Sequence, residues 1–84
     1  MEKKEIGKVS HFFAKPSVAG IVLSGNLRIG DRISIEGHTT NFEMVVDSMQ
    51  IEHDSVEQAG PGDDIGIKVP DRVREHDVVY LIRD

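Results

Sequence analysis

The sequence contains no cysteine and no tryptophan, and only four of its 84 residues are aromatic, three Phe and one Tyr. Without cysteine, neither a disulfide framework nor a thiolate metal site can form. No apolar run approaches the roughly 18 residues that a membrane-spanning helix needs. The first five residues are mostly charged and no apolar signal core follows them. We therefore expect a cytoplasmic protein that does not enter a membrane.

The length of the chain limits the size of its core. An 84-residue chain is expected to form one domain over residues 1–84, with residues 1–4 as a flexible terminus. A domain of this size buries only roughly 60% of the surface that its unfolded chain exposes. It therefore has a thin core and little room for a deep catalytic cleft.

Charge is unevenly distributed along the chain, which has a formal net charge of −5. Residues 1–15 contain four Lys and two Glu, a balance of 4 − 2 = +2, whereas residues 43–84 contain four basic and eleven acidic residues, a balance of 4 − 11 = −7. An acidic surface repels the phosphate backbone of nucleic acids. Contact with a nucleic acid would therefore be small or confined to the basic N-terminal part.

The spacing of turn residues and short apolar runs predicts an all-β fold. Runs rich in Val and Ile alternate with turns such as "SGN", "IGD", "EGH" and "GPGD". Such regular spacing is typical of a small barrel or sandwich. Six strands are predicted, over residues 6–13, 18–23, 32–36, 41–53, 65–69 and 78–82. We expect them to form a single closed six-stranded barrel of the antiparallel type, because closure removes the free edges of a sheet.

Three local features qualify this prediction. In the long fourth strand the apolar positions change parity, which predicts a β-bulge near residues 47–48. The capping-box spacing of Ser55 and Gln58 predicts at most one helical turn. Before the last strand, the turn "EHD" has His76 where proteins that this chain resembles usually have glycine, so either His76 adopts the turn geometry without the freedom of glycine or the turn differs.

Two segments of the sequence resemble domain 2 of translation elongation factors. Residues 48–67, "SMQIEHDSVEQAGPGDDIGI", resemble a strand, loop and "PGDNVG" turn of elongation factor 1-alpha. Residues 25–35, "GNLRIGDRISI", resemble the glycine-rich start of a strand in elongation factor Tu and its relatives. The resemblance implies a stand-alone elongation-factor-like protein with the translation-factor domain 2 type of barrel.

A second resemblance involves the beginning of the chain. Residues 6–13, "IGKVSHFF", resemble the opening of the C-terminal barrel of collagenase-like peptidases. In that family the barrel is an accessory to a separate peptidase region. This resemblance implies an accessory role as the alternative to a role in translation.

The motifs of several enzyme classes are missing from the sequence. No "GxxxxGK[ST]" phosphate loop is present, so we expect no binding of GTP. Ser10 and His11 are adjacent on a strand and must point to opposite faces, so they cannot form part of a catalytic triad. The four histidines have no spacing typical of a metal site. The sequence therefore predicts a binding module without catalytic residues, metal or cofactor.

Two groups of residues are candidates for ligand binding. Adjacent Phe12 and Phe13 must point to opposite faces of the first strand. The candidate for exposure is Phe12, between Lys8 and Lys15, which would either stack on a base or pack under a loop. The second group is Gly62, Asp63 and Asp64. It matches the "GDN" of the elongation-factor turn, which lies near the aminoacylated end of transfer RNA. Asp64 replaces the amide donor of that turn with a charged acceptor.

Two hypotheses about the partner follow from these observations. The first is a module that binds RNA or a ribosome-associated factor. The alternative is a protein-interaction module that docks on a peptidase or a translation factor, for which an apolar patch with a polar rim is sufficient.

Overall fold

The computed structural model describes residues 2–83, which form ten β-strands and contain no helix. The strands are β1 (Glu2–Phe13), β2 (Val18–Leu23), β3 (Leu27–Arg28), β4 (Arg32–Glu36), β5 (Asn41–Val45), β6 (Gln50–Ile51), β7 (Asp54–Ser55), β8 (Gln58–Ala59), β9 (Asp64–Lys68) and β10 (Val78–Arg83). The predicted all-β fold class is confirmed. The strands predicted over residues 18–23 and 32–36 match β2 and β4 at both ends.

Eight of the strands form one antiparallel sheet in the order β5-β4-β10-β1-β2-β9-β6-β7, and β3 pairs with β8 in a small second sheet. The predicted closed six-stranded barrel is not found, because β5 and β7 are the two ends of the large sheet and no ladder between them closes it within residues 2–83. β5 and β6 follow each other in the sequence but pair with β4 and β9, respectively.

The long fourth strand predicted over residues 41–53 is interrupted between β5 and β6. Val46 and Met49 are both buried, whereas Asp47 and Ser48 between them are exposed. Residues three apart in a regular strand point to opposite faces, so a continuous ladder cannot bury both. The parity change that predicted a bulge near residues 47–48 corresponds instead to a complete break in the ladder.

The inward-facing apolar side chains of the strands and loops form one core. Its buried members are Ile6, Val9, Ala19, Ile21, Leu23, Leu27, Ile33, Ile35, Val46, Met49, Ile65, Ile67, Val69, Val73, Val79 and Leu81. In β4, Ile33 and Ile35 face inward, and Ser34 between them is also buried. Its hydroxyl donates a hydrogen bond of 2.7 Å to Glu36 Oε2, so the buried oxygen has a partner.

The N-terminal residues are not a flexible terminus, contrary to the prediction. Glu2, Lys3 and Lys4 begin β1 and pair with residues 81–83 of β10; Met1 lies outside the described residues. Ladder hydrogen bonds to β10 order this segment although its side chains are exposed. Lys3 Nζ also forms a salt bridge of 2.6 Å with Glu36 Oε2.

No helical turn forms at residues 55–58, where the sequence allowed at most one. Ser55 belongs to β7 and Gln58 to β8, and the N–H of Val56 donates a hydrogen bond of 2.9 Å to the carbonyl oxygen of Met49. Bonds to distant strands therefore satisfy this backbone, and tertiary pairing overrides the local capping signal.

Three turns of the same construction precede β4, β9 and β10. In each, an aspartate N–H donates a hydrogen bond of 3.1 Å to the carbonyl oxygen three residues before it, in the turns ending at Asp31, Asp63 and Asp77. The carboxylate of the same aspartate accepts a bond of 2.8–2.9 Å from the N–H of that earlier residue. The residue before each aspartate has a positive φ, which is typical of a type II turn.

His76 occupies the positive-φ position of the third turn, with φ of 76°, as the sequence indicated. Gly30 and Gly62 occupy it in the other two turns, with φ of 96° and 91°. The turn thus keeps its geometry without glycine, because the buried Asp77 carboxylate binds the backbone of Arg74.

Candidate interaction surface

The orientation of the residues at the end of β1 depends on a β-bulge. Val9 pairs with Ile21 and His11 with Gly20, so Ser10 is an extra residue in the ladder between β1 and β2. The extra residue reverses the parity of the strand. Val9 points inward before the bulge and Phe12 after it, whereas His11 and Phe13 point outward.

The bulge therefore exchanges the roles expected for the two phenylalanines. The prediction that one packs inward and the other is exposed is confirmed. The choice of Phe12 as the exposed one is wrong, because it is half-buried against the core while Phe13 is 50% exposed. The ring of Phe13 instead packs against the ring of His11, with centroids 4.4 Å apart.

The outward residues of β1, β2 and β9 form a continuous surface. His11, Gly20 and Gly66 form one row across the three strands, and the two glycines present no side chain. Phe13, Val18 and Lys68 form the row on one side of them, and Lys8, Val22 and Asp64 form the row on the other side. We call the surface formed by these three rows the outer face.

Two apolar side chains of the outer face are accessible to solvent. Phe13 is 50% exposed and Val22 is 44% exposed, on opposite sides of the glycine row. An exposed aromatic side chain with Lys8 and Lys68 at the edges of the face has the composition of a protein-binding patch with a polar rim.

A groove of about 460 Å³ lies next to the outer face, between the end of β1 and the loop before β10. It is lined by His11, Phe12, Arg72, Val73, Arg74 and Glu75, and we call it the arginine groove. Two backbone hydrogen bonds attach the loop to β1: His76 N–H donates to Val9 at 2.9 Å and Val9 N–H donates to Asp77 at 2.8 Å. These bonds place the two arginines beside His11.

The side chains of the arginine groove are arranged around an apolar floor. Val73 is buried between Arg72 and Arg74, both of which are exposed, and Phe12 is half-buried. Glu75 Oε1 lies 3.8 Å from His11 Nδ1. Within residues 2–83, no ion pair involves either arginine, since the salt bridges found there join other residues.

The residues predicted to bind ligand do not form one site. Lys8 and Asp64 are both paired with Val22 and lie together on the outer face. Lys15 lies in the turn between β1 and β2, next to the Lys68 end of β9, whereas Gly62 and Asp63 precede the Asp64 end. The two ends of β9, Asp64 and Lys68, are four positions apart, which corresponds to about 13 Å at the usual rise of a strand.

The polar groups of the turn at Gly62 and Asp63 form hydrogen bonds within the protein. Asp63 Oδ2 accepts the N–H of Gly60 at 2.8 Å, and the Gly62 N–H donates to the carbonyl oxygen of Leu23 at 2.9 Å. This arrangement explains the "GD" pair of the turn by backbone structure alone.

The sequence analysis did not identify Arg72 and Arg74 as candidates. The available signal was the alternation of two arginines with an apolar residue between Pro70 and Asp77. Their proximity to His11 could not be inferred, because it depends on the pairing of the loop with β1.

Neither a metal site nor a membrane span is found in the described part of the chain. In residues 2–83, no three His, Asp or Glu side chains lie close enough together to hold a metal ion. No helix in the same residues is long and apolar enough to cross a membrane.

Comparison with known proteins identifies relatives among proteases. No protein-family model matches the chain. An uncharacterised protease of Methanocaldococcus jannaschii is 51% identical over 83 residues, which is 98% of this chain and 20% of that protein. A collagenase of Porphyromonas gingivalis is 37% identical over 81 residues, 94% of this chain and 22% of that protein. The chain thus spans about a fifth of the length of the curated relatives it matches.

Two solved structures have the same fold. The C-terminal domain of a protein named as a U32 peptidase from Geobacillus thermoleovorans superposes with a TM-score of 0.89 at 18% identity, over 95% of this chain and 93% of that domain. The selenomethionine variant of that domain gives a TM-score of 0.87 at 19% identity, over 90% and 96% of the two chains. At this identity the likeness establishes the fold alone.

These comparisons support one of the two resemblances seen in the sequence. The collagenase-like resemblance agrees with the protease relatives and with the fold of the peptidase domain. The resemblance to translation elongation factors is not shown by them. Over nearly its whole length, the chain is similar to one segment of collagenase-like proteases and has the fold of a U32 peptidase C-terminal domain.

Proposed function

We propose that this chain is a non-catalytic accessory domain that docks on a peptidase region of the kind present in its relatives. The alignment carries the proposal: almost the whole chain corresponds to one fifth of a protease, so four fifths of that relative lie outside the aligned segment. A peptidase centre in that larger part is consistent with a separate role for the domain described here.

The side chains of the chain itself support a non-catalytic role. The hydrogen bonds between side chains in residues 2–83 join only Lys3, Ser34 and Glu36. A nucleophile needs a base within hydrogen-bonding reach, and the base needs an orienting partner. No histidine takes part in the side-chain hydrogen bonds of residues 2–83.

The outer face has the properties of the docking surface. Phe13 and Val22 provide apolar area, and Lys8 and Lys68 form part of a polar rim. Aromatic residues at the centre of an interface commonly contribute most of its binding energy. We therefore assign the contact with the peptidase region to this face.

Docking can be tested with the Methanocaldococcus jannaschii protease from which the segment aligned with this chain has been deleted. Isothermal titration calorimetry with this chain should detect a complex. A Phe13→Asp/Val22→Asp double variant should weaken the complex by at least about tenfold, since a buried unpaired charge costs more than 1.4 kcal/mol.

Val45→Asp is the matched control for this experiment. Val45 is 49% exposed, much like Phe13, but lies on β5. Its replacement should leave the affinity within about twofold of wild type. Docking through the outer face would be refuted if the folded proteins formed no complex. It would also be refuted if the Phe13→Asp/Val22→Asp and Val45→Asp variants lost affinity equally.

A further inference from the structure

The arginine groove lies in a cationic part of a molecule that is acidic as a whole. The two segments that meet around it, residues 11–18 and 67–76, contain four basic and two acidic residues, a balance of 4 − 2 = +2. The whole chain has a net charge of −5, so the remaining residues carry −5 − 2 = −7. An anionic group is therefore attracted to this end of the molecule and repelled by the rest.

The chemistry of the groove favours a carboxylate beside an apolar side chain. Arginine binds planar carboxylates through two parallel hydrogen bonds. Arg72 and Arg74 flank the buried Val73, and no side chain in residues 2–83 forms an ion pair with either guanidinium group. Phe12 and Val73 provide an apolar floor between these groups and His11.

The size and surroundings of the groove limit the length of its ligand. At about 460 Å³, it holds a few residues of a peptide. The molecule measures 32 × 26 × 20 Å, so a longer polyanion would extend over its acidic surface. Repulsion acts over a Debye length of about 8 Å at physiological ionic strength. A short acidic segment gains attraction from the groove without incurring most of this repulsion.

We propose that the arginine groove is a recognition site for a short acidic peptide segment, in which Arg72 and Arg74 bind two carboxylates and Phe12 contacts an apolar residue between them. The site is separate from the apolar docking contact assigned to Phe13 and Val22. His11 connects the two, because it lines the groove and packs against Phe13. The proposal does not depend on the identity of the protein that carries the segment.

The site can be tested by ¹⁵N-HSQC titration of the whole chain with an acetylated, amidated Glu-Leu-Glu peptide. We expect dose-dependent shifts at the amides of residues 11–13 and 72–75, and at least about tenfold weaker binding when salt is raised from about 20 to 500 mM, because the interaction is electrostatic. The matched Gln-Leu-Gln peptide should produce much smaller shifts.

Variants locate the site and distinguish it from general charge attraction. Arg72→Gln/Arg74→Gln should weaken binding of the acidic peptide at least tenfold, whereas Arg28→Gln/Arg83→Gln, which removes the same charge from exposed positions elsewhere, should change it less than threefold. The dispersion of the same spectra reports whether each variant is folded. If the double variant does not fold, the single Arg72→Gln and Arg74→Gln variants replace it in the binding measurement.

Three results would overturn the proposal. One is equal binding of the Glu-Leu-Glu and Gln-Leu-Gln peptides. Another is an equal loss of affinity for the acidic peptide in the Arg72→Gln/Arg74→Gln and Arg28→Gln/Arg83→Gln double variants. The third is tighter binding of a hexauridylate RNA than of the acidic peptide in the same groove, which would assign the site to nucleic acid. None of these results bears on docking through Phe13 and Val22, so the two proposals fail independently.

Discussion

Single residues at the turns determine where the strands of this protein start. The aspartates of the three type II turns bind the backbone of the residue three positions earlier, and each turn precedes a strand of the sheet. The bond links the two ends of the turn and satisfies a donor that would otherwise need water. The "GD" pairs in the sequence are therefore explained by structure, without a ligand.

The turn at His76 permits a direct test of backbone strain. A left-handed conformation costs a residue with a Cβ atom roughly 1–2 kcal/mol, part of which glycine recovers despite its larger loss of chain entropy. Because His76 is exposed and has φ of 76°, we expect His76→Gly to stabilise the protein by up to about 1 kcal/mol in urea unfolding followed by circular dichroism.

Gly62→Ala is the converse control for this prediction. A Cβ atom at Gly62 would meet no atom within 4 Å, so only the φ of 91° opposes the substitution. We expect a loss of about 1 kcal/mol. A loss of more than about 1 kcal/mol in His76→Gly itself would mean that the imidazole stabilises the turn by contacts that its exposure does not suggest.

At the scale of elements, β1 organises both the sheet and the candidate surface. It pairs with β10 along one edge and β2 along the other, and contains a bulge in each ladder, near Ile6 and at Ser10. The first bulge allows Ile6 and Gly7 to be buried together, and the second turns Phe13 outward. The exposed aromatic side chain of the outer face is thus a consequence of strand pairing.

The attachment of β1 to β4 through Lys3 and Glu36 predicts a dependence of stability on pH. The hydrogen bond from Lys3, with a second bond from Ser34, lowers the pKa of Glu36 below 4.5. The hydrogen bond to Glu36, partly opposed by desolvation, raises the pKa of Lys3 above 10.5. The ion pair therefore stabilises the fold fully between the ordinary pKa values of the two groups, 4.5 for Glu36 and 10.5 for Lys3. Its contribution disappears as pH falls through the lowered pKa of Glu36 or rises through the raised pKa of Lys3.

Thermal unfolding of Glu36→Gln should show this dependence. We expect a lower melting temperature than that of wild type near pH 7, and a smaller difference once the pH falls through the lowered pKa of Glu36 and the wild-type carboxylate becomes protonated. Glu57→Gln is a suitable control, because Glu57 is exposed and forms no salt bridge in residues 2–83. A difference between Glu36→Gln and wild type that does not change with pH would contradict the assignment.

For the whole molecule, the connection between β5 and β6 replaces a closing ladder. Residues 46–49 link strands that pair with β4 and β9, and they contribute Val46 and Met49 to the common core. Side-chain packing therefore holds these parts of the sheet together where backbone hydrogen bonds between strands are missing.

Removal of Met49 should consequently be costly. We expect Met49→Ala to lower the free energy of unfolding by about 2–5 kcal/mol, as for other large buried side chains, through lost burial and a cavity. Val45→Ala, four residues earlier and 49% exposed, should change it by less than about 0.5 kcal/mol. Equal effects in chemical unfolding would show that the connection is not part of the core.

The all-β class, several strand boundaries and the turns were predictable from the sequence because they depend on nearby residues. Alternation of Ile33 and Ile35 with polar neighbours indicates a strand, and the "GD" pairs and the "EHD" segment indicate turns. The exposed Phe13, the break at residues 46–49 and the ordered residues 2–4 were not predictable. Each depends on how strands distant in sequence pair and where the ladders slip.

The sequence by itself determined which residues form strands and turns, since steric and hydrogen-bonding preferences act over a few residues. Only the tertiary structure decided which side chains meet. The bulge at Ser10 chose Phe13 over Phe12 for the surface, and the bonds of His76 and Asp77 to Val9 placed Arg72 and Arg74 beside His11. A one-residue change of register reverses every side chain beyond it, so the candidate surface exists only once the strands have paired.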